Sequence, residues 1–189
     1  MPLHVITGCM FSGKTEELCR VAKRYAFARK RVRVFIPERD TRKVRSIDDL
    51  LPSMRRISKP IRVKSPMEML KFVKTRDKVV AIDEVQFWHT EKDAEEFKEF
   101  LSRVRKSKII LVSGLDTDFR HEPFGVVPHL LAVSDRVTKL TAVCVKCGDE
   151  ATYTQRLIND KPAPKDSPLI LIGDRDSYEP RCEKCFEIS

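Results

Sequence analysis

Residues 8–15 read Gly8-Cys9-Met10-Phe11-Ser12-Gly13-Lys14-Thr15, directly after the short apolar run Leu3–Thr7. No other stretch limits the possible folds as strongly. The glycines let the backbone curl until its N–H groups face an anion. A helix leaving the loop aims its positive end at the same point. Lys14 has the reach to touch terminal phosphates, and the Thr15 hydroxyl suits Mg²⁺. The pattern needs a strand before it and a helix after it, so it predicts a strand–loop–helix unit in a nucleotide-binding fold. Gly8, Ser12, Gly13, Lys14 and Thr15 are therefore candidate ATP and Mg²⁺ residues.

The periodicity downstream extends that unit. Gly13 to Arg29 reads as a helix, with Leu18, Val21, Ala22, Tyr25 and Ala26 on one face. Val32–Ile36 is a β-branched strand stopped by Pro37. Residues 38–65 are charged and irregular and read mostly as loop. Ser65-Pro66 starts a helix through about Lys74, with the proline in its first turn. Val79–Ile82 and Ile109–Ser113 are further strands, and Asp93 to Lys106 is an amphipathic helix carrying Phe97, Phe100, Leu101 and Val104 inward. Strand and helix alternate at short spacing, which argues for a parallel sheet with helices on its faces. Sites of such sheets lie at the carboxyl ends of the strands. The octad, the pair Asp83-Glu84 and Gly114-Leu115-Asp116 should then converge on one rim.

After about Leu140 the character changes. Cysteine pairs appear, with strand-like runs at Ala151–Leu157 and Leu169–Ile172 and a proline-containing loop over 159–167. The expected division is a nucleotide-binding domain over 1–140 and a small metal-binding domain over 141–189. Cys144-Val145-Lys146-Cys147 and Cys182-Glu183-Lys184-Cys185 are two C-x₂-C pairs, and four thiolates can close a tetrahedral Zn²⁺ site. The 34 residues between them exceed the usual ribbon spacing, so the chain must fold back, with the metal as a structural staple. Cys9 lies in the octad, and Cys19 reads as a small core residue.

Composition excludes some classes. No apolar run approaches the roughly 20 residues that span a bilayer. The segment Met1-Pro2-Leu3-His4 does not read as a signal peptide, so a cytoplasmic location with reduced cysteines is expected. The net charge of +9 is uneven: residues 20–78 hold 20 Lys/Arg against 6 Asp/Glu. Few aromatics interleave with these charges, so the basic half reads as a solvated, ATP-attracting surface rather than a nucleic-acid site.

The strand Val79–Ile82 ends in Asp83-Glu84. With a phosphate loop upstream, Asp83 helps hold Mg²⁺ and Glu84 is free to act as a base. Phe87, Trp88, Phe119 and Phe124 lie near the expected rim, where aromatics either sandwich a planar base or pack into the core. His4, His89, His121 and His129 show no ligand spacing.

Taken in order, these segments resemble the zinc-containing, type II thymidine kinase family. Gly8–Leu18 resembles its phosphate loop and Asp83-Glu84-Val85-Gln86-Phe87 its catalytic segment. Leu115–Arg120 through Pro123-Phe124-Gly125 resembles its substrate-side stretch. Leu140–Cys144, Tyr153–Leu157, Ile172-Gly173, Tyr178 and Cys182–Cys185 resemble its zinc domain. The resemblance implies a P-loop (RecA-like) α/β sheet with a C-terminal zinc-binding lasso domain. It implies transfer of the γ-phosphoryl group of ATP to the 5′-hydroxyl of thymidine or deoxyuridine. Glu84 would be the base, Asp83 would join Thr15 near Mg²⁺, and Lys14 would stabilise the transferring group. Met10, Phe87, Leu115, Phe119, Phe124 and Thr154 would surround the base. Arg156, Leu169, Leu171, Gly173 and Tyr178 would complete the substrate side. A lasso from about Ala151 to Tyr178, a homotetramer and feedback inhibition by thymidine triphosphate are implied too.

The chain departs from that family at Cys9 (usually proline), Val85 (often smaller) and Asp174 (usually glycine), and 43–60 lacks its His-x-Gly pattern. On the residues alone, two other readings stand beside it. One is a P-loop ATPase that binds nucleic acid through the basic region and a zinc ribbon. The other is a non-catalytic nucleotide sensor.

Overall fold

In a computed structural model the chain is described over residues 1–40, 56–170 and 176–188. The expected parallel sheet is there. Six strands, β1 (Leu3–Gly8), β2 (Arg31–Pro37), β3 (Ile61–Val63), β4 (Asp77–Ile82), β5 (Ile109–Gly114) and β6 (Arg136–Leu140), lie in the order β3-β2-β4-β5-β1-β6. Every pairing is parallel. Among the described residues three α-helices accompany them: α1 (Lys14–Phe27), α2 (Glu91–Val104) and α3 (Val127–Val133).

The central strands are apolar on both faces because helices cover both. Val34, Ile36, Val79, Ala81, Ile109 and Leu111 pack with Leu18, Val21, Ala22 and Ala26 of α1. Their neighbours Phe35, Val80, Ile82, Ile110 and Val112 pack on the opposite side with Phe97, Phe100, Leu101 and Val104 of α2. The period of two sorts one continuous apolar run into two cores, as a doubly covered parallel sheet requires. Thr90 caps α2: its side chain accepts from the Asp93 N–H, and Asp93 reaches back to the Thr90 N–H.

The structure departs from the sequence expectation in several places. The helix expected over 65–74 is only a 3₁₀ turn, Met67–Lys71. The Met69 carbonyl takes the N–H groups of both Phe72 and Val73, and the Asp77 carboxylate takes that of Lys74, which ends the turn. Strands β3 and β6 were not expected. Both are edge strands carrying charged residues, which the alternation rule scores poorly. Helix α3 was missed because it is seven residues long with proline at its start. Of the strand expected over 169–172, the described residues 169–170 form a bend and the rest lies outside the described residues, as do 41–55 and Asp174.

After β6 the chain forms two small sheets. β7 (Ala142–Val143) pairs with β8 (Glu150–Ala151). β9 (Tyr153–Ile158) is flanked by β10 (Lys161–Pro162) and β11 (Asp176–Arg181), both antiparallel to it. The long β9–β11 pairing carries the second cysteine pair back to the first.

One glycine fastens the segment after β5 to the turn after β4. Gly125 has φ +56°, and a Cβ there would meet the Gln86 carbonyl oxygen at 2.6 Å and that of Trp88 at 2.9 Å. Gly125→Ala therefore combines a left-handed alanine with a backbone clash, and should cost about 2–4 kcal/mol. Urea denaturation of the purified variant checks this; an unchanged midpoint would show that the contact is slack.

Candidate active site

The site is built where β1, β4 and β5 end side by side. Gly8 closes β1 with φ +141°, and a Cβ on it would meet the Leu140 carbonyl oxygen at 2.2 Å. Only a residue without a side chain lets the loop leave the sheet this close to β6. Phe11 and Gly13 also have positive φ, so the loop curls repeatedly before α1 begins at Lys14. Ser12 Oγ donates to the Cys9 carbonyl at 2.8 Å, and Lys14 Nζ donates to the same oxygen at 2.6 Å. Burial pushes the Lys14 pKa down, while the Glu84, Asp83 and Asp116 carboxylates pull it back.

Asp83 sits one residue beyond β4 and is buried. Its Oδ2 accepts from the Thr15 hydroxyl at 2.9 Å, and its Oδ1 accepts from Ser113 Oγ and from the Glu84 N–H at 3.0 Å. The parallel register Ile82↔Val112 brings Asp83 beside Ser113. Burial, then the adjacent Glu84 carboxylate, push the Asp83 carboxyl up to about 7 against these hydrogen bonds. Glu84 itself has φ +58° and ψ +37°, a strained conformation for a residue with a side chain. Its carboxylate accepts from Gln86 Nε2 at 2.5 Å, while Gln86 Oε1 accepts from the Leu115 N–H at 3.2 Å.

The candidate nucleoside residues gather beside this edge. Met10 N–H donates to Thr154 Oγ1 at 3.0 Å, and Cys9 Sγ donates to the Ala151 carbonyl at 3.3 Å, so the loop touches the cysteine-bearing segment twice. Phe87, Leu115, Phe119 and Phe124 are buried. Phe119 lies under two guanidinium groups, with Arg120 Cζ at 4.5 Å and Arg156 Cζ at 5.0 Å from its ring centroid. Tyr178 of β11 faces Arg156 of β9 in the strand register, with Arg156 Cζ 5.9 Å from its ring. Leu169 is half-buried in the bend that follows Pro168; Leu171 and Gly173 lie outside the described residues. Trp88 is different. It is fully buried against Phe97, with ring centroids 5.6 Å apart, and belongs to the α2 core.

The four cysteines of the two pairs converge. Their sulfur atoms all lie within 4.8 Å of one another, with Cys147 Sγ 3.5 Å from Cys182 Sγ. A tetrahedral tetrathiolate with metal–sulfur bonds of about 2.3 Å separates its sulfurs by roughly 3.8 Å, so this cluster fits such a metal. Burial disfavours a Cys144 thiolate, but N–H groups of Cys182, Cys147 and Lys146 outweigh it and bring the thiol down to about 6. The Asp149 N–H favours a Cys147 thiolate, yet the Cys182 sulfur, burial, and the Cys144 and Cys185 sulfurs drive it up to about 12. One charge is accommodated and the next resisted, which a cation at the centre would reverse. Cys19 of α1 is buried in the core, as expected.

Two polar residues at this edge were not singled out from the sequence. Ser113 had a visible signal, a hydroxyl closing the apolar run Ile109–Val112. Gln86 had none, because its value lies in bridging two elements remote in sequence.

The fold and the site together define an α/β protein with a glycine-rich loop and a carboxylate pair at one sheet edge and a four-cysteine cluster that could hold a metal ion. A family model described as thymidine kinase matches residues 1–186, and the chain belongs to that family. It is a kinase, and its function is that of a thymidine kinase; the match does not support the nucleic-acid ATPase alternative. Among the described residues no helix is long and apolar enough to cross a membrane.

Two outcomes follow from the geometry. Treatment with a strong chelator should raise amide hydrogen exchange across 142–188 far more than across β1–β5, because the small sheets have little core besides the cysteine cluster. Equal protection before and after would mean that the cluster needs no metal. The second concerns pH. The folded Asp83 pKa is raised from 3.8 to about 7, so in metal-free protein its contribution to stability is complete below about pH 4 and is lost as pH rises through about 7. Asp83→Asn removes that term, so its unfolding free energy should fall less than the wild type's between about pH 5 and about pH 8. Parallel slopes in denaturant titrations would count against a raised Asp83.

Proposed function

We propose that this kinase transfers the γ-phosphoryl group of ATP to the 5′-hydroxyl of thymidine, and of deoxyuridine as well. The observation that carries the reading is the carboxylate pair: Asp83 tied to Thr15 at the start of α1, and Glu84 held apart by Gln86. Two adjacent carboxylates thus face two different tasks. Thr15 and Asp83 are oxygen donors of the kind Mg²⁺ takes, and they already lie 2.9 Å apart. With ATP, that ion would neutralise charge on the phosphates.

The residues of the chain do the rest. The loop's N–H groups and the start of α1 hold the phosphates. Lys14 exchanges its bond to the Cys9 carbonyl for a phosphate oxygen and stabilises the group in flight. Glu84 takes the proton of the 5′-hydroxyl as that oxygen bonds to phosphorus. The bond to the β-phosphate oxygen breaks, leaving ADP. Met10, Phe87, Leu115, Phe119, Phe124 and Thr154 surround the base, and Arg156, Leu169, Leu171, Gly173 and Tyr178 are the further substrate-binding residues. The phosphate loop residues Gly8, Ser12 and Gly13 serve ATP alone.

The remaining proposals rest on the family. Residues 141–189 form a zinc-binding lasso domain following a nucleotide-binding domain over 1–140, with Zn²⁺ on Cys144, Cys147, Cys182 and Cys185. The enzyme acts in the cytoplasm as a homotetramer inhibited by thymidine triphosphate.

Glu84→Gln keeps the shape of the side chain and removes the base. Its kcat for thymidine phosphorylation should fall about 10²–10⁴-fold, with ATP binding retained. Near-normal turnover, followed as labelled thymidine monophosphate, would remove Glu84 from the mechanism.

A further inference from the structure

Between β10 and the described start of β11 the chain passes through residues 163–170, and three of its carbonyl groups are held by arginines from elsewhere. Arg120 Nε donates to the Lys165 carbonyl at 2.6 Å, and Arg120 Nη2 to that of Ser167 at 2.5 Å. Arg156 Nη1 donates to the Pro168 carbonyl at 2.7 Å. A loop outside any ladder must find partners for its carbonyls, and two guanidinium groups supply them here. Both groups also lie over the Phe119 ring, so the two contacts share one support.

Arg120 is itself aimed by a rigid turn. Asp118 Oδ1 accepts from the N–H groups of Arg120 at 2.8 Å and Glu122 at 3.0 Å, and Asp118 Oδ2 accepts from Arg120 Nη1 at 3.1 Å. The Asp118 N–H donates to the Glu122 carbonyl at 2.8 Å. The turn is stacked on β9 as well, where the His121 ring lies 3.9 Å from that of Tyr153. Asp118 is buried, so the guanidinium fork is set before it meets the 165–167 carbonyls.

We propose that Arg120 is a positioning residue that clasps the 164–168 turn to the substrate-side segment, and that nucleoside affinity depends on this clasp while phosphoryl transfer does not. It rests on the reading of Phe119, Arg156 and the 151–178 segment as the thymidine side. The residue next to Phe119 thereby ties the 164–168 turn to that same side. Among the described residues Arg120 bonds to Asp118, Lys165 and Ser167 and not to the phosphate loop or the carboxylate pair, so ATP should not sense it.

The test uses the full-length, metal-loaded enzyme with Arg120→Ala, Arg120→Lys and Phe119→Ala. Arg120→Ala should raise KM for thymidine about tenfold or more, with KM for ATP and kcat each within about twofold of wild type. Arg120→Lys keeps the charge but offers no fork, and should fall between the two. The second readout is tryptic cleavage after Lys165, whose carbonyl is one of the two Arg120 holds: it should be faster in Arg120→Ala, and in wild type thymidine should slow it. Should Arg120→Ala lose its metal or fail to fold, Arg120→Lys carries the test, with a KM rise of about threefold or more expected. An unchanged thymidine KM in the folded Arg120 variants overturns the clasp. If Phe119→Ala raises KM in that case, the thymidine-side reading survives without it; if Phe119→Ala also leaves KM unchanged, that reading falls too.

Discussion

The buried Asp83 carboxylate joins three elements that are far apart in sequence. Thr15 reaches it from the start of α1, Ser113 from the end of β5, and its own backbone continues β4. Burial and the neighbouring Glu84 carboxylate push its carboxyl up to about 7, and those donors hold the rise in check. The hydroxyls therefore do two things. They fix the carboxylate's direction, and they fix how the glycine-rich loop stands over the sheet edge. Glu84, one residue on, can then turn away in its left-handed conformation toward Gln86 rather than share the same partners. The separation of the two acidic groups follows from that turn.

The small cysteine-bearing sheets add a second layer of dependence. They bury few apolar side chains of their own, and the described cluster there holds Cys144, Ala151 and Cys182. What secures them is the convergence of four thiols and the contacts that run to the main sheet. Thr154 meets the loop at Met10, Ala151 meets it at Cys9, and Arg120 meets the 164–168 turn. The loop and the cysteine-bearing segment are thus parts of one connected surface.

Much of the architecture could be read from residue patterns. The apolar runs Leu3–Thr7, Val79–Ile82 and Ile109–Ser113 are strands because they are covered on both faces, and their spacing with helical segments leaves a parallel sheet as the economical solution. The edges were harder. Arg136-Val137-Thr138-Lys139-Leu140 pairs with β1 although its sequence alternates weakly and carries two charges in five residues. An edge strand receives its hydrogen bonds from one neighbour, and nothing in its own side chains announces that neighbour. The 65–74 segment erred in the other direction. Its proline and apolar residues suit a helix, but competing acceptors at Met69 and Asp77 stop it after one short turn.

Local spacing by itself determined the glycine-rich loop, the carboxylate pair after an apolar strand, and the two cysteine pairs, because each is a chemistry that works only with those residues at that separation. Tertiary structure alone decided which other residues serve them. Ser113 joins Asp83 through the register of β5 on β4. Gln86 joins Glu84 because its amide can reach both that carboxylate and the Leu115 N–H. Trp88 leaves the rim for the core because the 3₁₀ turn at Val85–Phe87 points it toward Phe97. Hydrogen bonds between remote segments depend on register and turn geometry, and those are settled by the packing of the whole sheet rather than by the residues next in line.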